Sequence, residues 1–233
     1  MTEERSKNKK SLRIALCQVN PMVGDLSRNR DKIDKIRKDY AGKVDVFLFP
    51  ELFLCGYPCD DLLLRPSFVK ECEEKIASLH QSLQGSCLVI GHPCYDQEEK
   101  LLNGVSVLEA DKSCKTYAKK FLPNTGVFDE KRYFSAGKKT LTFKYKDYCF
   151  GLCICQDMWE EEPVLENCRA GAEIILVLNA SPYSYSKHQK RLEIAKALAK
   201  KNKITLVYLN MVGGHDEMVF DGGSFVVSQN AQV

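Results

Sequence analysis

Long apolar runs are missing from the 233 residues: no stretch of 18 exists, so no membrane-spanning helix is expected. An excess of one charge is missing too. The 34 Lys and Arg stand against 31 Asp and Glu, a formal net charge of +3, and this near balance gives no electrostatic case for a nucleic-acid partner. Although there are 11 cysteines, none stands in a paired zinc spacing such as CxxC twice over, and no apolar leader precedes them. A reducing, cytoplasmic setting is the expectation, with no metal centre. Cys55 and Cys59 lack a second pair to complete a zinc site and read as structural thiols. No GxSxG elbow occurs, so His188 and His215 have no serine nucleophile to serve and read as surface or site-rim residues. Internal repeats and low-complexity linkers are also absent. The chain therefore reads as one domain over 12–233, after a loose charged tail over 1–11. Its 44% hydrophobic content suffices for one substantial core.

What is present alternates between helix and strand periods. Leu12 to Val19 reads as a strand, Ser27 as the cap of a helix carrying Ile33, Ile36 and Tyr40 on one face, and Val44 to Phe49 as the next strand. That order predicts a parallel pair with a crossover helix. Pro66 to Leu83 has Phe68, Cys72, Ile76, Leu79 and Leu83 at helical spacing, and Ser86 to His92 is apolar and strand-like. Two hairpins follow, Gly104 to Ala110 with Cys114 to Phe121, and Leu141 to Tyr145 with Tyr148 to Cys155. A short helix over 163–170, a buried strand over 173–179, a basic helix over 186–201 and strands over 204–210 and 223–228 complete the pattern. The last strand runs into SQNAQV like a hairpin whose return strand is missing, which predicts a domain truncated at its carboxyl end. The fold class is α/β, in layers.

Chemistry is expected where apolar strands stop at polar residues. Cys155 ends the run Leu152 to Cys155 and is followed at once by Gln156-Asp157; Glu51 follows the strand ending at Phe49; Lys119 closes a hairpin strand. An ordinary thiol with a pKa of roughly 8.5 needs help to act as a nucleophile near neutrality. A carboxylate can take its proton, and an ammonium can favour the thiolate and hold an oxyanion. Taken singly, each residue has a plainer reading: a buried core thiol, a solvated turn glutamate, one lysine among Lys115, Lys120 and Lys131. Cys149 and Cys153 share the strand parity of Cys155 but lack the polar step and read as core. Trp159 reads equally as pocket wall or core aromatic. Lys187, Lys190, Arg191, Lys196, Lys200 and Lys201 read as the solvated face of their helix.

The motifs FPELFLCGYP around Glu51, KKFLPN around Lys119 and ICQDMW around Cys155 resemble the nitrilase, or carbon-nitrogen hydrolase, superfamily in order and spacing. Within it the chain is most similar to the amino-terminal glutaminase domains of glutamine-dependent NAD+ synthetases, through GYPCDDLLL at 56–64, LPNTGVFDEKRYF at 122–134, LNASPYS at 178–184 and NMVGGHDEMVFDGGS at 210–224. The resemblance implies a four-layer α-β-β-α sandwich. It implies Glu51 as general base, Lys119 as oxyanion holder, Cys155 as the nucleophile that forms a glutamyl thioester, and Glu130 as a supporting carboxylate. Gln156, Trp159, Ser181 and Lys187 are the implied substrate-binding residues. Lys119 is preferred to Lys120 by its spacing to Leu122-Pro123, and strand alternation sends the two side chains to opposite faces. The implied substrate is L-glutamine, with no cofactor for its hydrolysis. ATP and Mg2+ would serve a synthetase domain, in cis on a longer chain or in trans, because no SGGxDS-like phosphate loop occurs in these residues. A homo-oligomer is expected.

Two departures bear on substrate. Gln156 stands where the synthetase-linked domains often have Glu, and Thr125 where they often have Tyr. They leave open a stand-alone hydrolase acting on another small amide, and, from a different class, a non-catalytic assembly module.

Overall fold

The computed structural model describes residues 10–111 and 113–233; most of the expected amino-terminal tail, 1–9, lies outside the described residues. In chain order the elements are β1 (Ile14–Leu16), α1 (Leu26–Asp39), β2 (Val46–Leu48), α2 (Pro66–Gln81), β3 (Cys87–Tyr95), β4 (Leu101–Leu108), β5 (Cys114–Ala118), β6 (Thr142–Tyr145), β7 (Tyr148–Ile154), α3 (Gln156–Trp159), α4 (Glu162–Arg169), β8 (Ile174–Asn179), α5 (Lys187–Asn202), β9 (Thr205–Asn210), β10 (Val212–His215), β11 (Met218–Asp221) and β12 (Phe225–Val227).

Ten of these strands form two five-stranded sheets, ordered β1-β2-β3-β4-β5 and β12-β9-β8-β7-β6. In the first sheet β1, β2 and β3 run parallel and β4 and β5 return antiparallel; in the second β7, β8 and β9 are the parallel trio, flanked by antiparallel β6 and β12. Period-two alternation decides what each sheet shows to the other. Val46, Leu48, Val89, Val105 and Val107 from one sheet meet Phe150, Leu152, Ile154, Leu176, Leu178, Val207 and Leu209 from the other in a shared apolar layer. Burial of each such side chain stabilises the fold by roughly 1.5–3 kcal/mol. The opposite faces are covered by helices. Ile33 of α1 and Cys72, Ile76 and Leu79 of α2 pack on the first sheet, and Val164 of α4 with Ala195, Leu198 and Ala199 of α5 pack on the second. The result is the expected four layers, α-β-β-α. Among the described residues no helix is long and apolar enough to cross a membrane.

Several local expectations differ from what is found. Asp25, not Ser27, caps α1, its side chain accepting the Arg28 N–H at 2.9 Å, because the turn at Gly24 brings the chain into helical conformation two residues earlier. The strand expected to stop at His92 runs on to Tyr95 and pairs with β4 over eight positions. The β10-β11 ribbon was not expected at all. Arg191, assigned to the solvated face of its helix, is fully buried: α5 turns it inward against Asp221, at 3.0 Å, and the carbonyls of Ser181 and Pro182.

Candidate active site

The carboxyl ends of β2, β7 and β8 open toward one region, and each hands the chain to a functional segment. After β2 the chain makes a tight turn, with the Phe53 N–H on the Pro50 carbonyl at 3.3 Å and the Leu54 N–H on the Gly91 carbonyl at 3.2 Å. Gly91 is required there, since a Cβ would lie 2.5 Å from both the Pro50 oxygen and the Leu52 nitrogen. The turn buries Glu51 completely. Its Oε1 accepts from Lys119 Nζ at 2.6 Å and Asn103 Nδ2 at 2.8 Å, and its Oε2 accepts the Ala180 N–H at 2.9 Å, just beyond β8.

Lys119 sits one residue beyond β5. Its N–H donates to the Asn103 carbonyl at 2.9 Å and its carbonyl accepts from the Gly137 N–H at 2.7 Å, an approach so close that a Cβ on Gly137 would lie 2.2 Å from the Ala118 oxygen. Lys119 Nζ also donates to Glu130 Oε1 at 2.7 Å, and Tyr57 Oη reaches the same oxygen at 3.0 Å. Lys120 points the other way, to Thr140 and Glu166, as strand alternation requires. Burial alone would depress the Lys119 ammonium; Glu51 and Glu130 outweigh it and hold the group above its ordinary range. Burial pushes the Glu130 carboxyl up to about 7, with Lys119 opposing and Glu51 adding to the rise. Glu130 Oε2 is buried and has no hydrogen-bond partner among the described residues.

Cys155 follows β7 with φ 44° and ψ −97°, a conformation that is costly for a residue with a Cβ. This kink breaks the alternation of the strand. Cys155 joins the layer between the sheets, whereas Cys153 lies in the outer core under the helices, so the two do not share a face. The Cys155 thiol is buried and pushed up to about 12, by burial first and then by the Glu51 carboxylate, with Lys119, and more weakly Lys187, pulling it down. The resting group is thus a neutral thiol beside a carboxylate and an ammonium that are already paired.

Residues 13–233 match the carbon-nitrogen hydrolase family. The chain belongs to that family. Among curated relatives, the glutamine-dependent NAD(+) synthetase of Aquifex aeolicus is 39% identical over 220 residues, covering 93% of this chain and 38% of the relative, and that of Acinetobacter baylyi is 37% identical over 225 residues, covering 96% and 41%. The chain therefore spans about two-fifths of the length of these relatives. Among solved structures, glutamine-dependent NAD+ synthetase from Acinetobacter baumannii in complex with ADP superposes with a TM-score of 0.91 at 37% identity, covering 96% of this chain and 42% of that one. A mutant of the amidase from Nesterenkonia sp. AN1, showing Michael addition of acrylamide at the active site cysteine, superposes with a TM-score of 0.85 at 25% identity, covering 95% and 87%.

Around this candidate centre the other expected contacts are placed less uniformly. Lys187, at the start of α5, lies over the Phe128 ring at 5.6 Å and close enough to Cys155 to act on its charge. Ser181 is buried, its carbonyl and Oγ accepting from Arg191. Gln156 faces an open groove of about 670 Å³ with Thr125 and Glu160, and donates to Glu160 Oε1 at 2.7 Å. Trp159 packs against the outer core of the second sheet. Three residues escaped sequence reading. Tyr57 and Asp157 stood inside quoted motifs without a role. Asn103 carried no signal, because an asparagine in an otherwise apolar strand shows its partner only when the strands are paired.

Proposed function

We propose that this chain hydrolyses the side-chain amide of L-glutamine. Cys155 Sγ attacks the amide carbonyl carbon while Glu51 takes the thiol proton; Lys119 holds the developing oxyanion; Glu51 returns the proton to the leaving nitrogen, and ammonia departs. Water, deprotonated by Glu51, then cleaves the glutamyl thioester to release glutamate. The observation that carries this reading is the buried set Glu51, Lys119 and Glu130, joined by bonds of 2.6–2.7 Å and acting together on the Cys155 thiol. Gln156, Ser181 and Lys187 are the substrate contacts in this reading, with Trp159 behind them.

Similarity along the chain to glutamine-dependent NAD+ synthetases supports glutamine as the amide and an ATP- and Mg2+-using amidation of deamido-NAD+ as the consumer of the ammonia. These residues supply the hydrolytic half only. A second reading, hydrolysis of another small amide, is favoured by the nearly full-length overlap with the Nesterenkonia amidase and by Gln156 facing the groove as an amide.

Ammonia release from L-glutamine and from a panel of simple aliphatic amides separates the two. Glutamine is expected to be preferred, and Cys155→Ala to lower the rate by at least ~10³-fold. Preference for a simple amide refutes glutamine as substrate, and an undiminished Cys155→Ala rate refutes the nucleophile.

A further inference from the structure

The ammonium and the thiol of the site stand on different sheets. Lys119 follows β5 at the edge of the first, Cys155 follows β7 inside the second, and no ladder bond joins these strands. The apolar layer between the sheets is non-directional and does not by itself fix one sheet against the other to a fraction of an ångström. Two buried carboxylates supply direction: Glu51, inside the site, accepts the Ala180 N–H just beyond β8, and Asp157 ties the segments that carry the ammonium and the thiol to each other. Asp157, in the first turn after the nucleophile, has no solvent exposure. Its Oδ1 accepts the N–H groups of Lys120 at 3.0 Å and Phe121 at 2.9 Å, the two residues that follow Lys119. Its Oδ2 accepts the Ile154 N–H at 2.9 Å, the residue that precedes Cys155, and the Tyr117 hydroxyl at 2.7 Å, two residues before Lys119. The four donors use the four lone-pair sites of an ionised carboxylate, so no acceptor capacity is left over for substrate. Burial raises the Asp157 carboxyl, while the donors from Ile154, Tyr117 and Phe121 oppose that rise.

We infer that Asp157 is a positioning residue, a buried carboxylate clamp that sets the distance and angle between the Cys155 sulfur and the Lys119 ammonium. The inference rests on the amide-hydrolysing reading of that pair. The clamp accounts for a carboxylate that neither touches the reacting atoms nor pairs with a cation. It also explains how Cys155 is held in its costly conformation, since the same oxygen pins the backbone one residue earlier.

Asp157→Asn tests it. The amide keeps one acceptor oxygen, but its Nδ2 must face either the Ile154 N–H or the Lys120 and Phe121 N–H pair, donor against donor. Half the clamp is released with little change of volume. Glutamine hydrolysis by wild type, Asp157→Asn, Tyr117→Phe, Cys155→Ala and the outer-core control Leu198→Ala is measured as kcat and KM beside thermal melting. The expected result is a kcat about a hundredfold lower for Asp157→Asn with KM within about threefold, and a kcat within about threefold of wild type for Leu198→Ala despite its lower melting temperature. Tyr117→Phe, which leaves the carboxylate intact, is expected to lose about tenfold in kcat, the worth of one hydrogen bond. If Asp157→Asn does not fold, a Tyr117→Phe kcat equal to wild type overturns the clamp. An Asp157→Asn kcat within threefold of wild type overturns it, as does a loss that scales with melting temperature along the same line as Leu198→Ala. Hydrolysis that survives in Cys155→Ala overturns the underlying reading, and the clamp falls with it for a distinguishable reason.

Discussion

At the scale of single residues, the protonation state of Cys155 decides how the site works. A thiol pushed up to about 12 is not poised as a thiolate, so in the proposed mechanism nucleophile and base act in one step. In that mechanism Glu51 has two separable effects: it raises the thiol through its charge and removes the proton when substrate arrives. Glu51→Gln separates them. Ammonia release is expected to fall ~10²- to 10⁴-fold, while alkylation of Cys155 at pH 8, followed by mass spectrometry, speeds up because a negative charge has left its surroundings. Alkylation that slows together with turnover would mean that Glu51 maintains a preformed thiolate instead. At this scale much was legible: Glu51, Lys119 and Glu130 stand in motifs, the spacing to Leu122-Pro123 favoured Lys119 over Lys120, and strand alternation sent the two to opposite faces. The shared parity of Cys153 and Cys155 was misleading, because a positive φ at Cys155 inverts the alternation that such a reading assumes.

At the scale of elements, the site depends on turns that pass close to neighbouring strands. The turn carrying Glu51 rests on β3 at Gly91, where added atoms meet backbone, which cannot swing away as a side chain would. Gly91→Ala is expected to destabilise the fold by about 1–3 kcal/mol in urea denaturation and to lower hydrolysis beyond that, since Glu51 moves with the turn. Unchanged activity in a folded variant would show that Glu51 is placed independently of β3. Strong periodicity made α2, β7 and β8 readable. The β10-β11 ribbon was not, because Val212-Gly213-Gly214-His215 carries no apolar alternation and pairs only where Met218–Asp221 folds back on it. Arg191 was misplaced for a related reason. Charge pattern alone puts it outside with the lysines of α5, and only the tertiary partner Asp221, together with the Ser181 and Pro182 carbonyls, makes its burial tolerable.

At the scale of the whole molecule, two buried groups give opposite pH dependences in overlapping windows. His92, depressed to about 4 by burial between Ser106 and the Pro93 carbonyl, takes a proton in the unfolded chain before it does in the folded one; stability it contributes above pH 6.5 is lost as pH falls toward 4. Glu130, raised to about 7 from 4.5, binds its proton more tightly when folded; its contribution is fully present below 4.5 and is lost as pH rises through 7. Each is worth up to roughly 3 kcal/mol, so wild type is expected to show a shallow stability profile between pH 4.5 and 6.5. Glu130→Gln should unmask a steep decline toward acid, and His92→Asn a decline toward neutrality, both read from urea midpoints; parallel profiles in all three proteins would refute the opposition. The layered α/β class was visible in the order of helices and strands and the four layers were implied by the family resemblance, whereas the pairing of β3 with β4 and the contact between the two sheets belong to tertiary structure. The central claim is that the sheets bring a glutamine-cleaving thiol to Glu51 and Lys119, and its most direct measurement is intact and peptide mass spectrometry of protein mixed with L-glutamine and quenched in acid. A glutamyl adduct confined to Cys155, absent from Cys155→Ala and unaffected at the other ten cysteines, is the expected result. Ammonia release with no adduct on Cys155, or an adduct on a different cysteine, would contradict it.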